Sequence, residues 1–210
     1  MSRDVSTYPE GYPSVTEILS RTGWTGDFGG ISPERLDQLA EVGTYVHACT
    51  ELIDIAELDL DRAGEQAREN VERNRYFGHV ENYLRAYMAF RCEISATILA
   101  SEQTVVHDEL HYCGRLDRIV EFADGTRAVV DVKTSQSPSP SWALQLAGYA
   151  MAAENGTPLA RHALRLMRDG TYRVDTFDSA GDRDLFRAAA VTANAQLAAG
   201  VWRLNRGGKR

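Results

Sequence analysis

Lysine is almost missing from this chain. Of its 23 basic residues only Lys133 and Lys209 are lysine, and the rest are arginine. A chain that fills its cationic positions so consistently with arginine suggests that Lys133 sits where arginine would not serve. Arginine offers a planar fork that suits salt bridges, whereas lysine offers a compact ammonium whose pKa can be tuned. Cysteine is also sparse. Cys49, Cys92 and Cys113 are widely spaced and form no C-x-x-C pair, so neither a structural zinc site nor an iron–sulfur cluster is expected. No apolar run approaches the roughly 20 residues that cross a bilayer, and no membrane contact is expected. The opening MSRDVSTYPEGYPSVTEIL lacks an apolar core flanked by basic residues. No signal peptide is therefore expected, and the cytoplasm is the expected location. Internal repeats and low-complexity blocks are missing too.

The net charge of −7 does not advertise a nucleic-acid binder. Its distribution is uneven, because residues 1–155 hold 13 basic and 25 acidic side chains while 156–210 hold 10 and 5. A basic C-terminal portion could form one wall of a phosphate groove, since binding follows local charge. The tail RLNRGGKR by itself reads more simply as a solvated, frayed end.

At 210 residues the length suits one substantial domain. Ser14 stands three residues before Glu17, a capping-box spacing that predicts a short helix. A glycine-rich loop, TGWTGDFGG, spans 22–30. Ser32-Pro33 then opens a long helix with Leu36, Leu39, Val42, Val46, Thr50 and Ile53 at helical spacing. A polar connector follows, then a second helix over about 75–93 whose Tyr76, Tyr83, Tyr87 and Phe90 read as core packing. Three β-rich runs come next, the last two joined by Asp124-Gly125, a strong hairpin signal. SPSPS breaks the chain before a helix that ends near Asn155-Gly156. A second Asp-Gly hairpin and a closing amphipathic helix over about 182–204 complete it. The divisions expected are an arm and loop (1–32), a helical region bearing His47 (33–93), a sheet core with crossover helix (94–180), and a C-terminal helix with basic tail (181–210). This order predicts a mixed sheet with helices on its faces.

Asp117, in GRLDRIVEF, and Asp131, in AVVDVKT, lie 14 residues apart across one hairpin. Both are embedded in apolar strands, where an unpaired carboxylate is costly. Two carboxylates brought together also repel unless a cation neutralises them. A divalent metal resolves both problems. Strand alternation puts Lys133 on the face of Asp131. Val132 then points into the core and leaves its backbone carbonyl free to ligate. On the helix beyond, Gln145 and Tyr149 are four residues apart on one face, placed either to reach phosphate or orient the lysine, or simply as the polar edge of a packed helix. The plain alternative for Asp117 is an ion pair with Arg115 or Arg118 on a sheet surface.

G-R-L-D at 114–117, D-V-K-T at 131–134 and Q-L-A-G-Y at 145–149 resemble, in order and spacing, the RecB-type branch of the PD-(D/E)XK nucleases. That branch includes phage-type exonucleases and CRISPR-associated RecB-like nucleases. Its upstream metal-ligating histidine, in a Gly-x-x-x-His context, corresponds here to Gly43 and His47, and PSVTEIL resembles the start of phage-type members. The resemblance implies an α/β fold of restriction-endonuclease type, a mixed central β-sheet flanked by helices. It implies Mg2+ or Mn2+ held by His47, Asp117, Asp131 and the Val132 backbone carbonyl. Lys133 would position or deprotonate the attacking water, while Gln145 and Tyr149 would orient the strand. Glu51, Glu102 and Arg115 are further candidates, the two acids for a second metal or for support of the first. The implied activity is cleavage of DNA, as an exonuclease of phage or recombination/repair type in a bacterial or phage-infected cell. A nicking or structure-specific endonuclease, a silent DNA-binding module and a structural metal-binding domain are the alternatives. The chain departs from the CRISPR-associated members in lacking their four cluster cysteines. It carries no helicase motif, so a separate recombination or helicase protein would supply any motor.

Overall fold

The protein is described by a computed structural model over residues 8–25, 31–55 and 59–204. The loop expected at 22–30 and the tail expected at 203–210 therefore lie partly outside the described residues, as does Lys209. So does the beginning of the N-terminal arm.

Helix α1, Val15–Arg21, begins with the reciprocal cap that its sequence predicts. Glu17 N–H donates to the Ser14 hydroxyl at 3.2 Å, and Ser14 N–H donates to the Glu17 carboxylate at 2.8 Å. Helix α2, Pro33–Asp54, follows the Ser32 cap and buries Val42, Val46, Cys49 and Thr50 along one stripe. The polar connector expected after it is instead helix α3, Leu60–Glu69, capped by Asp59. Its buried stripe is made of Ala63 and Ala67, which carry too little apolar bulk to mark a periodic pattern. The helix expected over 75–93 divides into a 3-10 stretch, Arg75–His79, and helix α4, Val80–Ile94, with its aromatics in the core as expected.

Strands β1 (Thr97–His107), β2 (Tyr112–Glu121) and β3 (Arg127–Lys133) form an antiparallel meander. Helix α5, Ser141–Ala153, crosses to β4, Ala160–Leu166, which runs parallel to β3, and β5, Tyr172–Thr176, returns antiparallel. Among the described residues the sheet order is β1-β2-β3-β4-β5. Helix α6, Gly181–Ala198, closes the chain earlier than the expected 204. Gly200 takes φ +70°, its N–H bonds the Leu197 carbonyl, and Val201 N–H bonds that of Gln196. This paired closure satisfies the last helical carbonyls and turns the chain away.

One face of the sheet packs Leu116 and Val129 against Ile18 of α1, Leu146 of α5 and Phe186 of α6. The other packs Val120, Val130 and Val132 against Val46 of α2 and Tyr87 of α4. Strand β3 is therefore covered on both sides, which explains its near-continuous apolar run and makes Asp131 within it an exception. No helix among the described residues is long and apolar enough to cross a membrane.

Helix α5 sits unusually close to its neighbours. A Cβ on Gly114 of β2 would fall 2.7 Å from the Tyr149 ring, and one on Gly148 would fall 2.6 Å from the Phe186 ring. The two glycines thus set how near α5 lies to β2 and to α6. Gly148→Ala should lower stability by about 1–3 kcal/mol through overpacking, seen as an earlier midpoint in guanidinium denaturation. An unchanged midpoint would mean that Phe186 can step aside.

Candidate active site

The backbone pairing of β2 with β3 reaches Arg118↔Val130 and goes no further, although β3 runs on to Lys133 beside β4. The strands part there. The Val132 N–H donates instead to Asp117 Oδ2 at 2.6 Å, so a side chain takes over where the main-chain ladder ends. The alternation of β2 also slips at this point. Leu116 and Ile119 face the α5 side, whereas Asp117 and Arg118 both reach α2. Such local irregularities re-aim side chains near functional sites.

Two groups of polar side chains meet around this fork. The first gathers Asp117 with residues from two other elements. His47 Nδ1 of α2 lies 3.4 Å from Asp117 Oδ1 and 3.4 Å from Glu102 Oε1 of β1. Ligand-type atoms of His47, Glu102 and Asp117 all fall within 4.8 Å of one another. Glu102 belongs here because β1 pairs Ser101 with Arg118 and Gln103 with Leu116, which sets it opposite Asp117. It holds a left-handed φ of +48°, an uncommon conformation for a non-glycine residue. Arg115 Nε approaches its other oxygen at 2.9 Å.

The second group is a chain of contacts on the α5 side. Alternation along β3 sends Ala128, Val130 and Val132 toward α2 and α4, so Asp131 and Lys133 face α5. Lys133 is ion-paired with Asp131 and donates to Gln145 Oε1 at 2.9 Å, with its ammonium 5.7 Å from the Trp142 ring centre. Gln145 Nε2 in turn donates to the Tyr149 hydroxyl at 3.2 Å. Gln145 therefore orients the lysine. Tyr149 is 3% exposed, and its hydroxyl accepts from the glutamine.

Several expected residues are placed differently from their anticipated company. The compact cluster joins His47 and Asp117 with Glu102, while Asp131 stands beside it, paired with Lys133. Val132 buries its side chain as expected, but the group it offers to the cluster is its N–H. Glu51, a turn beyond His47, is half-buried and outside the cluster. The surface ion pairs considered for Asp117 are not formed by its carboxylate. Arg118 is 1% exposed and donates to the Asp117 main-chain oxygen at 2.7 Å, and Arg115 serves Glu102. Sequence reasoning missed Arg118, Thr50, Asp54 and Tyr87 as a connected set. The signal was present in part: His47, Thr50 and Asp54 recur on one face of α2, opposite an arginine inside an apolar strand.

Charge organises the site. Burial pushes the Asp117 carboxyl up, but His47, Lys133 and the Val132 N–H together hold it well below the usual carboxylate range. Burial pulls His47 down, yet Asp117 and Glu102 override it and carry the imidazole up to about 9. Asp131 is lifted to about 6 by burial, opposed by Lys133 and reinforced by Asp117. One imidazole nitrogen and two carboxylates at this spacing suit a small divalent cation that accepts both nitrogen and hard oxygen ligands. The proton on His47 supplies positive charge to the same acids.

The family model described as the PD-(D/E)XK nuclease superfamily matches residues 23–206. A solved structure from Eubacterium rectale, provisionally named an exonuclease, superposes with a TM-score of 0.56 at 13% identity, covering 97% of this chain and 89% of that one. A second structure, SSO0001, gives a TM-score of 0.38 at 15% identity over 79% of this chain and 89% of its own. The comparison with curated proteins gives no match.

The raised pKa of His47 fixes the sign of a pH dependence. Its contribution to metal-free stability is fully present below about 6.5 and is lost as pH rises through about 9. The Tm in EDTA should fall over that interval, and His47→Gln should flatten the fall; a rise instead would contradict the placement of His47. Cation affinity should grow over the same interval, because the proton must leave. Asp131 carries the opposite lesson for a carboxylate. Since folding raises its pKa, its ionised form opposes folding, and Asp131→Asn should raise the Tm of the EDTA-treated protein at neutral pH. A large drop would show that the pair with Lys133 is net stabilising.

Proposed function

Since the chain belongs to the PD-(D/E)XK nuclease superfamily, we propose that it is a divalent-metal-dependent deoxyribonuclease, and specifically an exonuclease of phage or recombination/repair type. One observation carries the metal-dependent reading: His47, Glu102 and Asp117 converge within 4.8 Å beside a lysine that is held by both Asp131 and Gln145. The exonuclease reading is supported by the order of motifs along the chain and by the likeness to the Eubacterium rectale fold.

His47, Asp117 and Glu102 would hold Mg2+ or Mn2+, with Asp131 and the Val132 carbonyl as the remaining candidate ligands. Bound there, the cation supplies Lewis acidity toward a phosphate oxygen and acidifies a ligated water. Lys133 brings a compact positive charge to the phosphate and to the attacking water. Its contacts with Asp131 and Gln145 fix the ammonium before substrate arrives, so little reorganisation is needed during reaction. Gln145 is itself fixed by Tyr149, whose position depends on the close seat of α5 against Gly114. Burial of Asp117 and Asp131 keeps solvent from screening these charges.

End-labelled linear duplex and single-stranded DNA, incubated with Mg2+ or Mn2+, should be degraded from the ends, and EDTA should stop it. Lys133→Ala and Asp117→Ala should each lower turnover by about 10²–10³-fold while keeping a cooperative melt. Closed circular DNA cut as fast as linear DNA would replace the exonuclease reading by an endonuclease one. Near-parental rates in both variants would remove the site.

A further inference from the structure

We infer that Arg118 is a positioning residue for the cation site, locking helix α2 and strand β1 onto β2 so that His47, Glu102 and Asp117 meet. The inference rests on the metal-dependent reading above. Arg118 is 1% exposed, and its guanidinium serves residues from four elements. Its Nη2 donates to Thr50 Oγ1 at 3.0 Å, and its Nε is ion-paired with Asp54, both on α2. The same Nε lies 3.2 Å from the Tyr87 hydroxyl of α4. Its Nη1 donates to the Asp117 carbonyl at 2.7 Å and lies 3.4 Å from Glu102 Oε1.

These contacts bear on each member of the cluster. Thr50 donates back to the His47 carbonyl at 3.0 Å, so the residue clamped by Arg118 is tied to the turn that carries His47. Asp54 is also fixed by Tyr87, whose hydroxyl, next to the Arg118 Nε, reaches both carboxylate oxygens at 2.8 and 2.9 Å. The helix is thereby held at two successive turns of the face that presents the imidazole. On β1, Glu102 occupies a left-handed backbone conformation that a non-glycine residue adopts only when its surroundings enforce it. Arg118 shares with Arg115 and His47 the oxygens that keep it there. Arg118 also grips the main chain of Asp117, at the point where the alternation of β2 slips. Buried as it is, it presents no surface to DNA. Its effect must pass through the three ligands.

Arg118→Lys keeps the buried charge beside Asp54 but gives up the planar fork, and one ammonium cannot satisfy all of these partners. The metal-free variant, checked for a cooperative melt, should bind Mn2+ about 10–100-fold more weakly than the parent, by calorimetry or Mn2+ electron paramagnetic resonance. With substrate, kcat should fall at fixed Mn2+ and recover as Mn2+ is raised, while KM for DNA stays put. A residue that merely stabilises the fold would lower the Tm and leave the Mn2+ affinity of the folded protein unchanged; that result overturns the inference. If Arg118→Lys does not fold, Thr50→Val and Tyr87→Phe each remove one neutral partner. Each should then weaken Mn2+ binding about 3–10-fold, and parental affinity in both overturns it equally. Asp117→Ala, measured alongside, tests the underlying site. If it binds Mn2+ like the parent, the cation site is misplaced and the role of Arg118 falls with it. If it loses Mn2+ while Arg118→Lys keeps it, only the role of Arg118 is wrong.

Discussion

Beyond Val130 the backbones of β2 and β3 no longer exchange hydrogen bonds, and the Val132 N–H is taken by the Asp117 carboxylate at 2.6 Å. A sheet that opens in its interior must satisfy the main-chain groups it frees, or bear the cost of burying them unpaired. Here an acid does so, which places a negative charge at the one spot where β2 and β3 leave room. The remaining arrangement answers that charge. Helix α2 brings His47, β1 brings Glu102, and β3 brings Lys133 with its own acid, Asp131. Because helices cover both faces of the sheet, little of this charge is left for solvent to screen.

The supports follow from how near the helices can come. Gly114 and Gly148 admit the Tyr149 and Phe186 rings at distances a Cβ would block, so α5 lies low over β2. Gln145 on that helix can then reach Lys133, and Tyr149 can reach Gln145. A helix seated farther out would leave the lysine with Asp131 alone, drawn toward a carboxylate and away from the fork. Packing at two glycines therefore governs an electrostatic detail several residues away.

Local signals in the sequence carried much of this architecture. The Ser14–Glu17 cap, the Ser32-Pro33 start and the two Asp-Gly turns each act within a few residues, and each appears where its chemistry put it. Asp131 and Lys133 were legible because strand periodicity makes i and i+2 neighbours. Helix α3 escaped because its buried face is alanine, and the end of α6 because Gly200 was read as interior rather than as the turn beyond the last helical residue. The part of the site that escaped is the part made by docking. Glu102 meets Asp117 only through the register of β1 on β2, a pairing that no spacing along the chain states. Arg118 enters the sequence reading only as an ion-pair partner for Asp117 on a sheet surface, whereas strict alternation puts such neighbours on opposite faces. The slip at Asp117–Arg118 reverses that, and nothing local announces it.

The two cations at the fork show why one is arginine and the other is the lone lysine of the described residues. Arg118 must hold a hydroxyl, a carboxylate, a phenol and a main-chain carbonyl at fixed angles in a buried space, and only a guanidinium has enough donors in one rigid plane. Lys133 has the converse task. It meets Asp131, Gln145 and the face of Trp142, and on the proposed reading a phosphate passing through changing geometry is better met by a compact charge than by a fork with a preferred plane. An arginine at 133 would direct its fork at Asp131 in a bidentate pair, spending the charge on the acid beside it. The scarcity of lysine in the chain is thus informative at this position for a physical reason: the proposed chemistry calls for a positive charge that Asp131 and Gln145 hold in place without a bidentate fork to bind it to the acid.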